Sequence, residues 1–219
     1  LAIGFPAGLG VTIEVFAHFG FYKLMALSGH DSISLAALVQ SFFFLIFFLF
    51  EGISKGVTTI CANLLGGQQS ALIPKVLRSA IVLHTFFFVL VASNIYLFSD
   101  EIINFFLNQD DESKLVTNSF INKAKWSYGW MTIVFLFDGY CRIYAGQLTA
   151  AGDTKFLLYA GSFLTLFFYL LPVYLIVVYA NSGVQEAWFV IACYSFINCL
   201  VYYWRYRSGR WMKSSDAIA

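Results

Sequence analysis

The chain alternates between long apolar runs and short polar segments. Six runs are long enough for a helix that crosses a bilayer, which needs roughly 20 mostly apolar residues. They cover residues 5–27, 35–62, 76–98, 126–150, 156–179 and 186–206. The segments "SGHDS", "GGQQS", "SDEIINFFLNQDDESK", "AGDTK" and "ANSG" separate them and have the polar, glycine-containing composition of turns and loops. The pattern predicts an all-α membrane protein, with one bundle of six transmembrane helices over residues 1–206.

Composition supports the same class. Of the 219 residues, 60% are hydrophobic and only 11% are charged, whereas about 25% of the residues of a soluble domain are charged. The formal net charge of +1 gives no reason to expect nucleic acid as a partner; the expected surrounding is a lipid bilayer. Within the fifth run, Pro172 should kink the helix, because proline removes one backbone hydrogen bond and clashes with the preceding turn.

Charges between the runs and at their ends are distributed unevenly between the two sides of the predicted bundle. The starting side carries Lys75, Arg78, Lys155, Arg205, Arg207, Arg210 and Lys213, against Asp153 and Asp216. The opposite side carries Asp31, Asp100, Glu101, Asp110, Asp111, Glu112 and Glu186, against Lys114, Lys123 and Lys125. Because cytoplasmic loops are enriched in Lys and Arg, we expect both ends in the cytoplasm, with a basic tail at 207–219. The membrane is expected to be the cell (inner) membrane.

Two carboxyl groups fall near the middle of predicted spans. Glu14 lies roughly 13 Å into the first span at 1.5 Å per residue, close to the midplane of a ~30 Å hydrocarbon core, and Asp138 lies near the middle of the fourth. His18 follows Glu14 by four residues and so shares its helix face. Ionisable residues at this depth are costly and suggest a functional site. Glu14 is therefore predicted to bind a proton, a cation or a charged partner.

The other ionisable residues within the runs can have a structural role as well as a functional one. Arg142 follows Asp138 by four residues, so the two can form a structural ion pair or belong to a functional site, and both interpretations stay open. Glu51 and Lys55 have the same spacing and favour a pair that neutralises itself near the cytoplasmic end. His84 is predicted to be a packed or interfacial histidine.

Several motifs together resemble one transporter family. "GFPAGLGVTIEVFAHFGFYKLMALSGHDSISLAA" (4–37) resembles the seventh helix and following turn of the multidrug and toxic compound extrusion (MATE) family. "EGISKGVTTICANLLGGQQ" (51–69) and "FFLNQDDESKL" (105–115) are similar to the end of its next helix and to a later loop. "DGYCRIYAGQLTAAGDTKF" (138–156) resembles its tenth helix, and "LLPVYL" (170–175) its proline-bearing eleventh helix.

The resemblance implies the C-terminal six-helix lobe of a pseudo-symmetric twelve-helix transporter. The expected partner is then an N-terminal six-helix lobe of the same transporter; a six-helix protein that dimerises is the alternative. The resemblance also implies that Glu14 and Asp138 match the acidic residues of the seventh and tenth helices. These contribute to a Na⁺ site in some relatives, and the glutamate is a protonated switch in others.

The chain departs from the family pattern at several places. "SGHDSIS" replaces the usual Leu-Gly turn, and "LTA" at 148–150 replaces "LRG". The Glu51–Lys55 pair lies where the family is usually apolar or small. Arg142 could neutralise Asp138 and weaken a sodium site, and His18 favours protons over sodium. The coupling ion, H⁺ or Na⁺, therefore stays open.

The sequence thus predicts an ion-coupled antiporter that exports small organic, cationic compounds by alternating access. The coupling or substrate site would contain Glu14, Asp138, His18 and Arg142, and no cofactor besides the coupling ion is expected. A flippase for lipid-linked sugars or other amphiphiles is the alternative, although only Lys23, Lys55 and Arg142 could bind phosphate. An enzyme is not expected, because the sequence has no HExxH motif and no Cys/His cluster.

Overall fold

The computed structural model describes residues 4–107, 118–180 and 183–212, and every regular element in those ranges is helical. The elements are α1 (Gly4–Leu27), α2 (His30–Gly66), a 3₁₀ turn (Ser70–Leu72), α3 (Ile73–Leu97), α4 (Ser99–Leu107), α5 (Asn118–Ala150), α6 (Thr154–Leu164), a π-helical turn (Thr165–Leu170), α7 (Leu171–Tyr179) and α8 (Val184–Arg207). Six charged positions used above lie outside the described residues: Asp110, Asp111, Glu112, Lys114, Lys213 and Asp216. The side chain of Asp31 is likewise not described.

Helix length and composition identify a membrane protein. Four described stretches are long and apolar enough to cross a bilayer: Ser32–Gly66, Ser70–Leu97, Thr154–Tyr179 and Val184–Arg207. The remaining two long helices, α1 and α5, contain the ionisable residues of the predicted site, which lower their hydropathy. Large apolar side chains face outward, among them Phe16, Phe48 and Phe86, which are 69%, 70% and 60% exposed. A surface this apolar suits lipid rather than water, and the fold is therefore an all-α membrane fold.

Short connections order the helices as hairpins. Ser28 and Gly29 alone separate α1 from α2, and residues 151–153 separate α5 from α6. Gly29 and Gly152 have φ values of 110° and 76°, a region that side chains with a Cβ rarely adopt. Connections of this length join antiparallel neighbours, so successive long helices run in opposite directions through the bundle.

Two ion pairs at the helix ends agree with the charge groups assigned from the sequence. Arg205 at the end of α8 donates to Asp153 before α6 through Nε to Oδ2 (2.6 Å) and through Nη2 to Oδ1 (3.0 Å). On α5, Lys125 Nζ lies 2.6 Å from Asp100 Oδ1 of α4. Each pair joins residues assigned to the same side. Which side is cytoplasmic stays a prediction.

The long helix of the fifth span is interrupted at its centre. A π-helical turn, Thr165–Leu170, separates α6 from α7, and Pro172 occupies the first turn of α7. Proline has no backbone N–H and its ring crowds the carbonyl four residues earlier, so the wider π turn accommodates the missing hydrogen bond. The disturbance predicted at Pro172 thus takes the form of a π turn directly before it.

Aromatic packing fixes the centre of the bundle. Phe43 of α2 stacks on Phe135 of α5, with ring centroids 5.2 Å apart, and the ring of Trp188 from α8 lies 6.3 Å from Phe43 and 6.1 Å from Phe21 of α1. Trp188 and Phe21 are almost completely buried. Four helices therefore contribute rings to one aromatic core, in which α2 packs on α5 and α1 packs on α8.

The C-terminal end of the described chain folds back on the bundle. Residues 208–211 follow α8 as turns, and Trp211 is only 5% exposed. The Trp211 indole stacks on Tyr206, and its Nε1 donates to the Tyr206 carbonyl at 3.0 Å. Within the described part of the predicted basic tail, Trp211 is therefore packed on the bundle, whereas Arg210 and Met212 are exposed.

A buried histidine joins α3 to α5 by very close packing. His84 is 1% exposed, its Nε2–H donates to the carbonyl of Leu136 at 3.3 Å, and its ring meets Phe50 and Tyr140 edge-on. Gly139 lies directly against the imidazole, where a Cβ would collide with Cε1. His84 is thus a packed histidine, as predicted, and glycine is needed at 139 because the ring occupies the space of its missing side chain.

We expect Gly139→Ala to lower the free energy of unfolding by about 1–3 kcal/mol, because overpacking forces neighbouring atoms to shift. Thermal unfolding of the detergent-solubilised protein measures this difference in stability between the variant and the unaltered protein. Gly129→Ala on the same helix is the matched control, since nothing lies within 4 Å of a Cβ there, and it should leave stability unchanged or slightly higher. Equal losses in both variants would show that the contact with His84 does not matter.

Candidate functional site

The guanidinium of Arg142 binds three carboxylates from three helices. Its Nε donates to Oδ2 of Asp138 at 2.7 Å, its Nη1 to Oε2 of Glu51 at 3.0 Å and its Nη2 to Oε1 of Glu14 at 3.2 Å. Glu51 Oε1 also lies 3.1 Å from Lys55 Nζ. We call these five residues the Arg142 cluster. Arginine suits such a position because its planar fork of five donors can serve several acceptors at once.

Helix geometry explains how the cluster forms. Asp138 and Arg142 are neighbours on one face of α5, because residues four apart lie one above the other. Close approach of α2 brings Glu51 within reach: Ser54 Oγ donates to the Arg142 carbonyl at 2.8 Å. A Cβ at Gly146 would come within 2.7 Å of the Ser54 carbonyl oxygen, so glycine at 146 permits this approach of α2 to α5.

Exposure differs among the three carboxylates. The side chains of Arg142 and Asp138 are 18% and 19% exposed, that of Glu51 is 26% exposed and that of Glu14 is 40% exposed. The ring of Phe47 lies 4.3 Å from the guanidinium carbon, which adds a cation–π contact. Glu14 combines the longest contact with the greatest exposure. It is therefore the carboxylate most easily separated from Arg142.

His18 lies beside the cluster and connects α1 to the π turn. Its Nδ1 is 3.3 Å from the hydroxyl of Tyr169, and the two rings meet edge-on. Tyr169 in turn stacks on Tyr194 of α8, whose hydroxyl is 3.0 Å from Thr165 Oγ1. Polar contacts thus extend from the face of α1 that carries Glu14 to the interrupted helix and to α8.

The structure unites most of the residues proposed from the sequence. Glu14, Asp138 and Arg142 meet directly, whereas His18 is bonded to Tyr169 instead. Sequence reasoning missed Glu51 as a member, because pairing with Lys55 seemed sufficient to neutralise it. The available signal was its position within a long apolar run, where any ionisable residue suggests a site.

The possible sodium site at Glu14 and Asp138 stays a prediction. Among the residues that the structure describes, no three His, Cys, Asp or Glu side chains group as a metal site would require. The guanidinium of Arg142 lies between these two carboxylates and binds both. A sodium ion bound by both would have to displace it.

An all-α bundle with long apolar helices and outward apolar faces defines the class of this protein: it is an integral membrane protein. The family model of MatE matches residues 6–175, which is most of the chain. The chain therefore belongs to the MatE family. A sequence search of curated proteins gave no match.

Solved structures show the same fold at low sequence identity. The chain resembles a MATE protein in complex with MaL6, with a TM-score of 0.84, 16% identity and coverage of 97% of this chain and 47% of that one. It also resembles an outward-facing multidrug resistance MATE family transporter of the MOP superfamily, with a TM-score of 0.81, 14% identity, and 95% and 45% coverage. A MOP superfamily transporter from Pyrococcus furiosus Vc1 (DSM3638), described as having a binding pocket of reverse polarity, matches with a TM-score of 0.82, 15% identity, and 95% and 45% coverage. The chain spans less than half the length of each of these proteins.

Proposed function

We propose that this chain is the C-terminal lobe of an ion-coupled antiporter that exports small organic, cationic compounds. Its partner would be an N-terminal six-helix lobe of the same transporter, and both ends of the chain would lie in the cytoplasm of a cell with the protein in its inner membrane. Rocking of two lobes around a shared site gives alternating access in transporters built from repeats. The observation that carries the proposal is that one guanidinium, that of Arg142, binds Glu14, Glu51 and Asp138.

The cluster can act as a switch because its contacts join separate helices. When Glu14 is ionised, its pair with Arg142 links α1 to α5. A protonated Glu14 is neutral and loses most of that attraction, so this link between the two helices is lost. A bound ion can shift a conformational equilibrium only through different affinity for the two states, and here the difference arises from the loss or formation of this pair.

We propose the proton as the coupling ion in preference to sodium. A proton needs only one carboxyl oxygen and no free space. Sodium would need several oxygen ligands and the position that Arg142 occupies between Glu14 and Asp138. Asp138 makes the shortest contact to Arg142 and is more buried than Glu14, so its proposed role is to hold the guanidinium while Glu14 exchanges the proton.

A cationic substrate is proposed from the charges that face it. Glu14 is the most exposed of the three carboxylates, so in its ionised form it can leave Arg142 and pair with an organic cation instead. Proton and substrate would then compete for one carboxylate, so that binding of a proton would release the substrate and binding of the substrate would release the proton. The flippase alternative receives less support, because Arg142 and Lys55 both pair with carboxylates, so the cluster offers no cationic surface to a phosphate.

Imposed ion gradients test the proposal. In proteoliposomes that contain the full-length transporter, we expect efflux of a fluorescent organic cation to follow an imposed pH gradient at zero sodium. A sodium gradient at constant pH should give no more than the leak of empty vesicles. Efflux driven by sodium at constant pH would overturn proton coupling and favour the sodium site, and efflux driven by neither would overturn the antiporter.

A further inference from the structure

A second candidate site lies far from the Arg142 cluster, where the beginnings of α5 and α8 meet. An open cavity of about 730 Å³ is lined there by Trp126, Trp130 and Phe189, together with four polar side chains. The polar ones are Asn122, Lys123, Gln185 and Glu186. Two of the lining rings, those of Trp130 and Phe189, meet edge-to-face with centroids 4.9 Å apart. Its volume falls in the range of small-molecule sites, about 300–1,000 Å³.

The cavity does not open toward the proposed transport site. Trp130 and Trp126 precede Arg142 by twelve and sixteen residues on the same helix. At 3.6 residues per turn they point roughly 120° and 160° away from it. The cavity therefore faces the perimeter of the lobe.

Its level in the membrane is the boundary between lipid tails and headgroups. The lining residues come from the starts of the fourth and sixth predicted spans and from the residues just before them, and Trp126 is 66% exposed. Tryptophan is enriched at this level because its ring is apolar while its N–H can remain hydrated. Lipid tails at the perimeter and headgroups beside the cavity are thus the molecules closest to it.

The cavity is lined by one positively and one negatively charged side chain, those of Lys123 and Glu186. Lys123 makes no ion pair with any residue that the structure describes, whereas nearby Lys125 is paired with Asp100. The carboxylate of Glu186 is held in place, since Oε2 accepts the Gly183 N–H at 3.1 Å. Lysine binds phosphate, and a carboxylate beside exposed tryptophan rings suits an ammonium group.

We propose that this cavity binds the headgroup of a zwitterionic phospholipid with a primary ammonium, such as phosphatidylethanolamine. Lys123 and the amides of Asn122 and Gln185 bind the phosphate. Glu186 accepts hydrogen bonds from the ammonium, and Trp126 packs on the glycerol and the upper acyl chain. The site would hold the α5–α8 side of the lobe at a fixed depth in the bilayer, and it does not depend on the proposed coupling chemistry.

Lipid retention by the purified full-length transporter tests the assignment. Native mass spectrometry in detergent, with added phosphatidylethanolamine or phosphatidylglycerol, gives the affinity for each lipid. We expect phosphatidylethanolamine to bind about tenfold more tightly, because one charge-assisted hydrogen bond is worth about a factor of ten. Lys123→Gln and Glu186→Gln should each reduce its affinity about tenfold. Glutamine at 186 still offers an oxygen to the Gly183 N–H, so the start of α8 should stay folded.

Lys125→Gln is the matched control, since it removes the same charge from a lysine that the cavity does not contain. It should leave phosphatidylethanolamine binding unchanged. Equal losses in the two lysine variants, or equal affinity for both lipids in the unaltered protein, would overturn the proposal. Displacement of the lipid by millimolar inorganic phosphate would also overturn it and assign the cavity to a free anion. If a variant is not monodisperse, Trp126→Leu provides the second test and should lower affinity for the lipid without removing a charge.

Discussion

Replacement of Glu14 by Gln is expected to abolish ion-driven export while the protein still inserts into the membrane. The amide cannot exchange a proton and cannot form the charged pair with Arg142. The variant therefore lacks the change in charge that is proposed to drive the lobe between its states. Efflux of an organic cation from proteoliposomes under a pH gradient should fall to the level of empty vesicles, and cells should lose resistance to a cationic drug.

A matched control separates this effect from a general loss of charge. Glu101→Gln makes the same chemical change at an exposed position of α4, and transport should remain at the level of the unaltered protein. Glu14→Asp should retain partial activity, since it keeps an ionisable carboxyl group on a shorter side chain. Transport at the unaltered rate in Glu14→Gln would remove Glu14 from the coupling site.

Replacement of Arg142 by Gln is expected to have the largest effect on stability of any single substitution in the cluster. Three carboxylates would then lose their shared cation, and removal of one partner of a buried ion pair costs about 3–5 kcal/mol. Because these carboxylates are 19–40% exposed, water screens them in part and the lower end, about 3 kcal/mol, is expected. Thermal unfolding in detergent gives the difference. The stability of Arg142→Lys should lie between that of the unaltered protein and that of Arg142→Gln, because lysine keeps the charge but one ammonium cannot reproduce the planar fork of arginine.

Two further variants show whether the loss of stability in Arg142→Gln arises from carboxylates that have lost their partner. Addition of Asp138→Asn to Arg142→Gln should recover part of the lost stability, since one unpaired charge is removed. Lys55→Gln removes a cation of the same cluster whose side chain is 75% exposed, and exposed pairs contribute only about 0–1 kcal/mol. A loss as large in Lys55→Gln as in Arg142→Gln would contradict the central role of Arg142.

The apolar pattern carried most of the information about the fold. The first and last predicted spans, 5–27 and 186–206, differ by two residues or fewer at each end from Gly4–Leu27 and Val184–Arg207, because hydropathy ends where the chain leaves the bilayer. Helix α4 within the 99–124 segment was not predicted, since a short amphipathic helix among charged residues resembles a loop. The start of α2 at His30, rather than 35, was missed because "HDS" is polar.

Contacts between helices required the structure. The pair Asp138–Arg142 could be predicted, because a separation of four residues fixes it within one helix. Arg142 and Glu51 are 91 residues apart, and Arg142 and Glu14 are 128 apart. Such contacts depend on the rotation and depth of each helix, which small residues such as Gly146 and Gly139 determine through close packing. One sequence shows the glycines but not the side chains that lie against them.

The composition of the Arg142 cluster has a consequence for the energetics of exchange. Two cations, Arg142 and Lys55, stand against the carboxyl groups of Glu14, Glu51 and Asp138. With all groups ionised one negative charge is left over, so a single proton or a single monovalent organic cation makes the cluster neutral. In the proposed antiport, exchange of one for the other would move no net charge across the membrane. The voltage, worth about 2.3 kcal/mol per charge at 100 mV, would then contribute nothing, and the proton concentration difference alone would supply the energy.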